Sequence, residues 1–155
     1  PRTERPETTD GYQGFYAPMS VEGSIEKSRV VLFLRDFDLK EMENRREIVE
    51  MLARSTAASF GGMAKVTHTQ QYLNMKEKMN EAPEVVANLV AAYKAAGVEP
   101  KFVPIRGGTD GSRLTEMGLP TPNIFTGGHN FHSRDEWASL NEMCKAAEIL
   151  INLVS

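Results

Sequence analysis

The sequence predicts an α+β first part, an antiparallel sheet with one long helix, followed by an α/β second part. Two patterns predict this. Up to about Asn80, β-branched and aromatic runs flank turn residues ahead of one long amphipathic stretch. From Pro83 onward, helical stretches alternate with short apolar segments, the pattern of helices laid on a mainly parallel layer. The length of 155 residues fits one average domain or two small ones, and suffices to bury a substantial core.

The elements follow in order. Pro1 to Asp10 is polar and rich in Pro and Thr, a flexible lead-in. Gly14 to Val21 reads as a strand, with Pro18 marking it as an edge. A turn signal over Val21 to Ser24 joins it to a β-branched and aromatic strand, Arg29 to Leu34, so the two form a hairpin. Asp38 with Glu41 three residues on resembles a capping box. The helix it opens puts Leu39, Met42, Val49, Leu52, Ala53, Thr56 and Phe60 on one face and stops at Gly61-Gly62. Met63 to Leu73 alternates loosely and predicts a third strand. Pro83 opens a helix that Gly97 closes. Phe102 to Ile105 and Thr121 to Phe125 predict short buried strands, with a short helix over Thr109 to Met117 between them. Ser139 and Glu142 start the last helix, whose apolar face is Leu140, Met143, Cys144, Ala147, Leu150, Ile151 and Val154.

Composition narrows the function classes. Hydrophobic content of 41% with 25% charged residues is that of an ordinary soluble globular protein. A net charge of -3 leaves no basic footprint, so nucleic acid is not expected as a partner. No apolar run approaches membrane-spanning length. The single Cys144 excludes an internal disulfide framework and suits a reducing compartment, so a cytoplasmic location is expected. The chain opens on Pro1 rather than Met, which reads as a processed product or a piece of a longer chain.

The chemistry concentrates between Pro104 and His132. Two glycine-rich turns, Arg106-Gly107-Gly108-Thr109-Asp110-Gly111 and Thr126-Gly127-Gly128-His129-Asn130-Phe131-His132, lie at strand exits, where α/β sheets collect ligands. Such exits would put Arg106 and His132 on one cleft. Two readings of His132 stand side by side: a metal ligand, since imidazole is the commonest one, or a cap of the loop or of the following helix. His129 would point elsewhere in an extended loop, and His68 reads as a surface residue. Arg106 could clamp a carboxylate with its fork, or pair with Asp110 or another nearby acid. Asp110 reads as an Asx-turn residue or helix N-cap. No Lys-Ser/Thr follows Gly107-Gly108, which argues against a phosphate loop of the Walker type. Arg35 and Asn74 are polar residues at strand ends, able to reach into a cleft. Cys144 reads as core, and Phe131 and Trp137 as packing anchors of the His132 turn.

Several longer stretches together carry a resemblance. They are Gly11-Tyr12-Gln13-Gly14-Phe15-Tyr16, Arg35-Asp36-Phe37-Asp38, Tyr72-Leu73-Asn74-Met75, Pro104 to Gly111, Met117-Gly118-Leu119-Pro120, and Asn123 to His132. In this order they resemble the peptidase T family of aminotripeptidases, within the dinuclear-zinc metallopeptidases, from about Pro6 to the C-terminus. The resemblance implies a zinc-binding α/β domain interrupted by a smaller α+β lid. Residues 1–79 would be lid, lacking its first strand and helix, and residues 80–155 would be the C-terminal portion of the catalytic domain. It implies that His132 is a zinc ligand and that Arg106, Arg35 and Asn74 hold the terminal carboxylate of a tripeptide. It further implies that the other ligands of the two zinc ions, and the catalytic Glu, lie in an N-terminal segment outside this chain. One ligand cannot make a zinc site, so the chain by itself is expected to be inactive. A related di- or aminoacyl-peptidase is the nearest alternative. A folded interaction module without activity is the alternative of another class, and exposed lid strands could pair copies of the chain.

Overall fold

The structure is a computed structural model and describes residues 3–155. The chain forms two compact units. One runs to Gln71 and takes in Val103–Gly108; the other is Tyr72–Phe102 with Thr109–Ser155. The sequence places the change of character near Asn80; the division between units falls at Gln71/Tyr72, with one later segment returned to the first unit.

The first unit is built on a hairpin. Strands β1 (Phe15–Gly23) and β2 (Ser28–Arg35) pair antiparallel, from Phe15 opposite Arg35 to Gly23 opposite Ser28. The turn lies at Ser24 to Lys27, a few residues beyond the expected signal, where the Ser24 N–H donates to the Lys27 carbonyl at 2.8 Å. The register slips between Pro18 and Ser20, so Met19 is the extra residue of a bulge. Pro18 cannot donate to a ladder, and the irregularity beside it accommodates that loss. Helix α1 (Leu39–Ser59) follows on its expected cap: Asp38 accepts from the N–H groups of Lys40 at 2.7 Å and Glu41 at 3.0 Å. None of its residues is fully buried, although Met42, Val49 and Ala53 of the expected face are half-covered.

Ion pairing supplies what this unit lacks in apolar burial. Arg45 of α1 donates to Asp36 at 2.8 Å and to Glu4 at 2.5 Å, and its guanidinium lies 4.8 Å from the centre of the buried Tyr16 ring. Gly14 lies against this cluster. A Cβ there would sit 2.0 Å from the Asp36 carboxylate and 2.7 Å from both the Arg35 carbonyl and the Arg45 Nε.

The second unit is helical. It holds helices α2 (Lys76–Asn80), α3 (Pro83–Ala95), α4 (Asp110–Glu116) and α5 (Leu140–Val154), and where α3 and α5 meet lies a small core of Leu89, Ala92, Ala96 and Ile149. Tyr93, Val98, Ile124 and Phe125 pack onto it, with the Tyr93 and Phe125 rings edge to face at 5.8 Å. The Lys145 ammonium donates to the Ala96 carbonyl at 3.0 Å, capping the end of α3 with a cation. Strands β3 (Gly128–His129) and β4 (Trp137–Ala138) pair antiparallel at the base of the His132 loop.

Three expectations need correction. Met63 to Leu73, Phe102 to Ile105 and Thr121 to Phe125 are not strands, because no other segment among the described residues pairs with them. The layer is therefore not parallel: both small sheets are antiparallel. The third correction concerns α5, which turns Ala146 and Ile149 inward and leaves Leu140, Met143, Leu150, Ile151 and Val154 exposed. Cys144 is exposed as well and is not core. This helix is apolar on two sides, and periodicity picked the wider one.

Replacing Gly14 with Ala should destabilise the first unit. The added methyl meets a buried ion pair and backbone, and overpacking of this kind costs about 1–3 kcal/mol. Urea unfolding of Gly14→Ala checks it; a midpoint equal to that of the unsubstituted protein would show that the pair moves aside freely.

Candidate functional site

The hairpin brings two of the expected residues to one place. Arg35 lies directly opposite Phe15 in the ladder, so their side chains share a face of the sheet. The Arg106 guanidinium lies over that same Phe15 ring, 4.7 Å from its centre. Arg106 donates to the Thr9 carbonyl and hydroxyl and, at 3.3 Å, to the Gln13 carbonyl. Its Nε is buried without a partner. Arg35 donates to the Leu34 carbonyl at 3.0 Å and to the Gln71 amide oxygen at 2.7 Å, and lies 5.0 Å from the Phe33 ring centre. Every one of these acceptors is neutral. Among the described residues neither arginine makes an ion pair, so the local acid expected beside Arg106 is not there. Two half-buried cations with no counter-charge favour an anion, and a carboxylate accepts more strongly than the neutral oxygens they now hold.

Asn74 does a local job. Its side-chain oxygen accepts from the Lys76 N–H at 3.0 Å at the start of α2. The preceding segment is tied to α4, where the Leu73 N–H donates to Glu116 at 2.6 Å. Arg113 holds the other oxygen of Glu116 at 2.7 Å. Thr109, not Asp110, caps α4: its hydroxyl accepts from the Ser112 N–H at 3.2 Å, and Asp110 is the acidic residue of the first turn. A hydroxyl one residue earlier in the chain reaches the free amide, so the cap shifts by one position.

The two glycine turns differ in kind. Gly107 faces open space, so nothing crowds it. Gly127 has a φ of 80° and rests on the first turn of α5, where a Cβ would lie 2.8 Å from the Met143 N and 2.9 Å from the Ser139 carbonyl. Only glycine combines that angle with that contact. From this base β3 and β4 run out and back. The His129 imidazole stacks on Trp137 at 4.1 Å and shares a 2.7 Å hydrogen bond with Glu142 of α5. His129 is thereby committed to the loop base, and Trp137 is the anchor expected of it. At the tip His132 is exposed and left-handed, with a φ of 65°; its N–H donates to Glu136 at 2.9 Å. A non-glycine residue held there marks strain that the surroundings must stabilise, a feature that clusters at functional sites.

An exposed imidazole on a fixed loop has the chemistry of one metal bond. Among the described residues, however, no three His, Cys, Asp or Glu side chains gather around one point. Arg106 and Arg35 belong to the first unit, and Asn74 and His132 to the second.

These features can be set beside known proteins. Residues 10–155 match the family described as Peptidase family M20/M25/M40, and the chain belongs to that family. It is 45% identical to Peptidase T of Clostridium perfringens over 155 residues, which is 99% of this chain and 38% of that protein. It is 43% identical to Peptidase T of Geobacillus thermodenitrificans, again over 99% of this chain and 38% of the relative. The chain thus spans about 38% of the length of the curated relatives it matches. The crystal structure of aminopeptidase PepT from Bacillus cereus ATCC 10987 shares its fold, with a TM-score of 0.71 over 96% of this chain and 40% of that one, at 19% identity. No helix among the described residues is long and apolar enough to cross a membrane.

Sequence reasoning passed over Phe15, Thr9, Gln13 and Glu136. The first three meet Arg106 across more than ninety residues of chain, which no local pattern encodes. Glu136 had a signal, an acid four residues after His132, but a charge in a polar loop is an ordinary thing to find.

The tie between Leu73 and α4 should depend on pH. Arg113 and then the Leu73 N–H hold the Glu116 carboxyl below the usual carboxylate range. A depressed folded value means that the tie is in full force above the unfolded pKa and is lost as pH falls through the lower, folded one. Protection of the Leu73 amide from exchange, taken relative to its intrinsic rate at each pH, should therefore fall only in acid, below the ordinary glutamate range. In Glu116→Gln that acid step should be missing; its persistence would assign the protection to another group.

Proposed function

We propose that this chain is the C-terminal part of a zinc-dependent aminotripeptidase, which releases the N-terminal residue of tripeptides in the cytoplasm. The observation that carries the reading is the pair of cations without an ion-pair partner among the described residues: Arg106 lies over Phe15, and Arg35 lies opposite Phe15 in the ladder with its guanidinium over Phe33. A peptide's terminal carboxylate is the anion they would take, with the Arg106 donors passing from Thr9 and Gln13 to the substrate. Fixing that carboxylate would set substrate length, and Asn74 would assist from the start of α2. His132 would give one ligand from its fixed loop, with the ligands that complete a pair of zinc ions supplied by the rest of the protein. Zinc in such a site polarises the scissile carbonyl and activates water. The identity to Peptidase T relatives over almost the whole chain supports a peptide as the substrate. A dipeptidase or aminoacyl-peptidase of the same family is the nearest alternative.

A second reading has its own support. Met19, Val21 and Val30 are exposed on the hairpin, and among the described residues no third strand pairs with β1 or β2. A sheet of that kind pairs copies of a chain, so the lid would also serve as an interaction module.

Di-, tri- and tetrapeptide hydrolysis by the full-length protein tests the substrate. Tripeptides should be preferred. Arg106→Ala should raise KM for tripeptides at least tenfold, since a charge-assisted hydrogen bond contributes about 1.5–3 kcal/mol. His132→Ala should lower bound zinc and activity together. The 155-residue chain alone should show neither stoichiometric zinc nor turnover. Equal rates on all three peptide lengths would remove the carboxylate-clamp reading, and turnover by this chain alone would place the missing ligands within it.

A further inference from the structure

The His132 loop has a fixed base and a tip in which one side chain, that of Glu136, bonds the His132 main chain directly. The base is held three times over: by the β3–β4 ladder, by the His129–Trp137 stack, and by the His129–Glu142 hydrogen bond. Gly127 adds a fourth constraint by lying against α5, and its carbonyl accepts from the Ser139 N–H at 2.8 Å. None of these contacts reaches residue 132. The tip must nevertheless carry two non-glycine residues in left-handed backbone, Asn130 at a φ of 54° and His132 at 65°. Left-handed backbone is uncommon for such residues, though Asn and His tolerate it better than most. Asn130 has help on both sides: its carbonyl accepts from the Ser133 N–H at 3.0 Å and its amide donates to the Asp135 carbonyl at 3.4 Å. Two bonds bear on the His132 backbone: the Ser133 N–H to Asn130 carbonyl bond closes a turn with Phe131 and His132 at its centre, and the His132 N–H donates to the Glu136 carboxylate at 2.9 Å. The second bond is charge-assisted, so it is stronger than the neutral contacts around it.

We propose that Glu136 is a positioning residue: its carboxylate holds the His132 backbone left-handed and so sets the direction in which the imidazole is presented. It acts through the main chain of His132 and touches neither metal nor substrate. The inference rests on the reading of His132 as a ligand. Backbone hydrogen bonds to a ligating residue play the part that outer partners of metal ligands generally play, and loss of such partners typically costs about 10–100-fold in metal affinity. Glutamine keeps an acceptor oxygen at the same reach without the charge. Alanine removes the acceptor.

The test uses the full-length protein with Glu136→Ala, Glu136→Gln and His132→Ala. Two quantities are read: zinc affinity by chelator competition with zinc alone as the probe, and the His132 amide in nitrogen-proton NMR spectra. In Glu136→Ala the His132 amide should lose its hydrogen-bonded shift and its protection from exchange, and zinc affinity should fall about tenfold or more. Glu136→Gln should recover most of the affinity, a rescue that a purely electrostatic role of the carboxylate would not give. Zinc affinity that falls in His132→Ala but not in Glu136→Ala overturns the positioning role while the ligand reading stands. Unchanged affinity in His132→Ala overturns the ligand reading, and the positioning role falls with it. An unmoved His132 amide in Glu136→Ala overturns the proposal whatever the zinc does. Should Glu136→Ala fail to fold, the Glu136→Gln amide shift decides, since a retained neutral acceptor must still move that signal toward weaker bonding.

Discussion

The first unit depends on a single guanidinium. Arg45 links helix α1 to the lead-in through Glu4 and to the end of β2 through Asp36, and it covers the face of Tyr16. Burial works against its charge, but the hydrogen bonds to Asp36 and Glu4 outweigh that and hold its pKa above the ordinary arginine value. Its charge is therefore permanent. The Asp36 side chain is only 8% exposed, so it has almost no water to fall back on. Removing one partner of such a pair costs about 3–5 kcal/mol, more than most single apolar contacts contribute in a unit whose long helix buries no residue fully. The glycine at position 14 is the geometric counterpart of this arrangement: it leaves room for the pair to close.

Local signals in the sequence were sound where the energy is local. The Asp38 cap, the stop at Gly61-Gly62, the Pro83 start, the Gly97 end and the Ser139 cap all rest on hydrogen bonds within a few residues, and each element lies within about a turn of where it reads. The hairpin was legible because β-branched and aromatic residues flank its turn. Signals failed where the outcome depends on distant partners. Thr121 to Phe125 has the composition of a strand, but a strand exists only when paired. Helix α5 has two apolar sides, and only packing on α3 decides that Ala146 and Ile149 face inward.

The candidate site shows the same division. Arg106, Arg35 and His132 stand out by residue type and by the glycines around them. What Arg106 touches does not, since Thr9, Gln13 and Phe15 reach it only through the fold. The two glycine turns read alike as text, yet Gly107 faces open space while Gly127 is wedged against a helix. Within the first unit Arg106 lies over Phe15 and Arg35 over Phe33; within the second the imidazole of His132 is carried on its own braced loop.

The exposed flank of α5 has a consequence for how this chain behaves in solution. Leu140, Ile151 and Val154 are each more than 60% exposed, so this helix offers water a row of hydrocarbon. Salts that are excluded from protein surfaces, such as sulfate, raise the free energy of that row, whereas the same salts screen exposed ion pairs. Such salts therefore act unequally on the two units. Added sulfate raises the cost of leaving that face of α5 in water. The Arg45 cluster of the hairpin unit, being largely shielded from solvent, responds little.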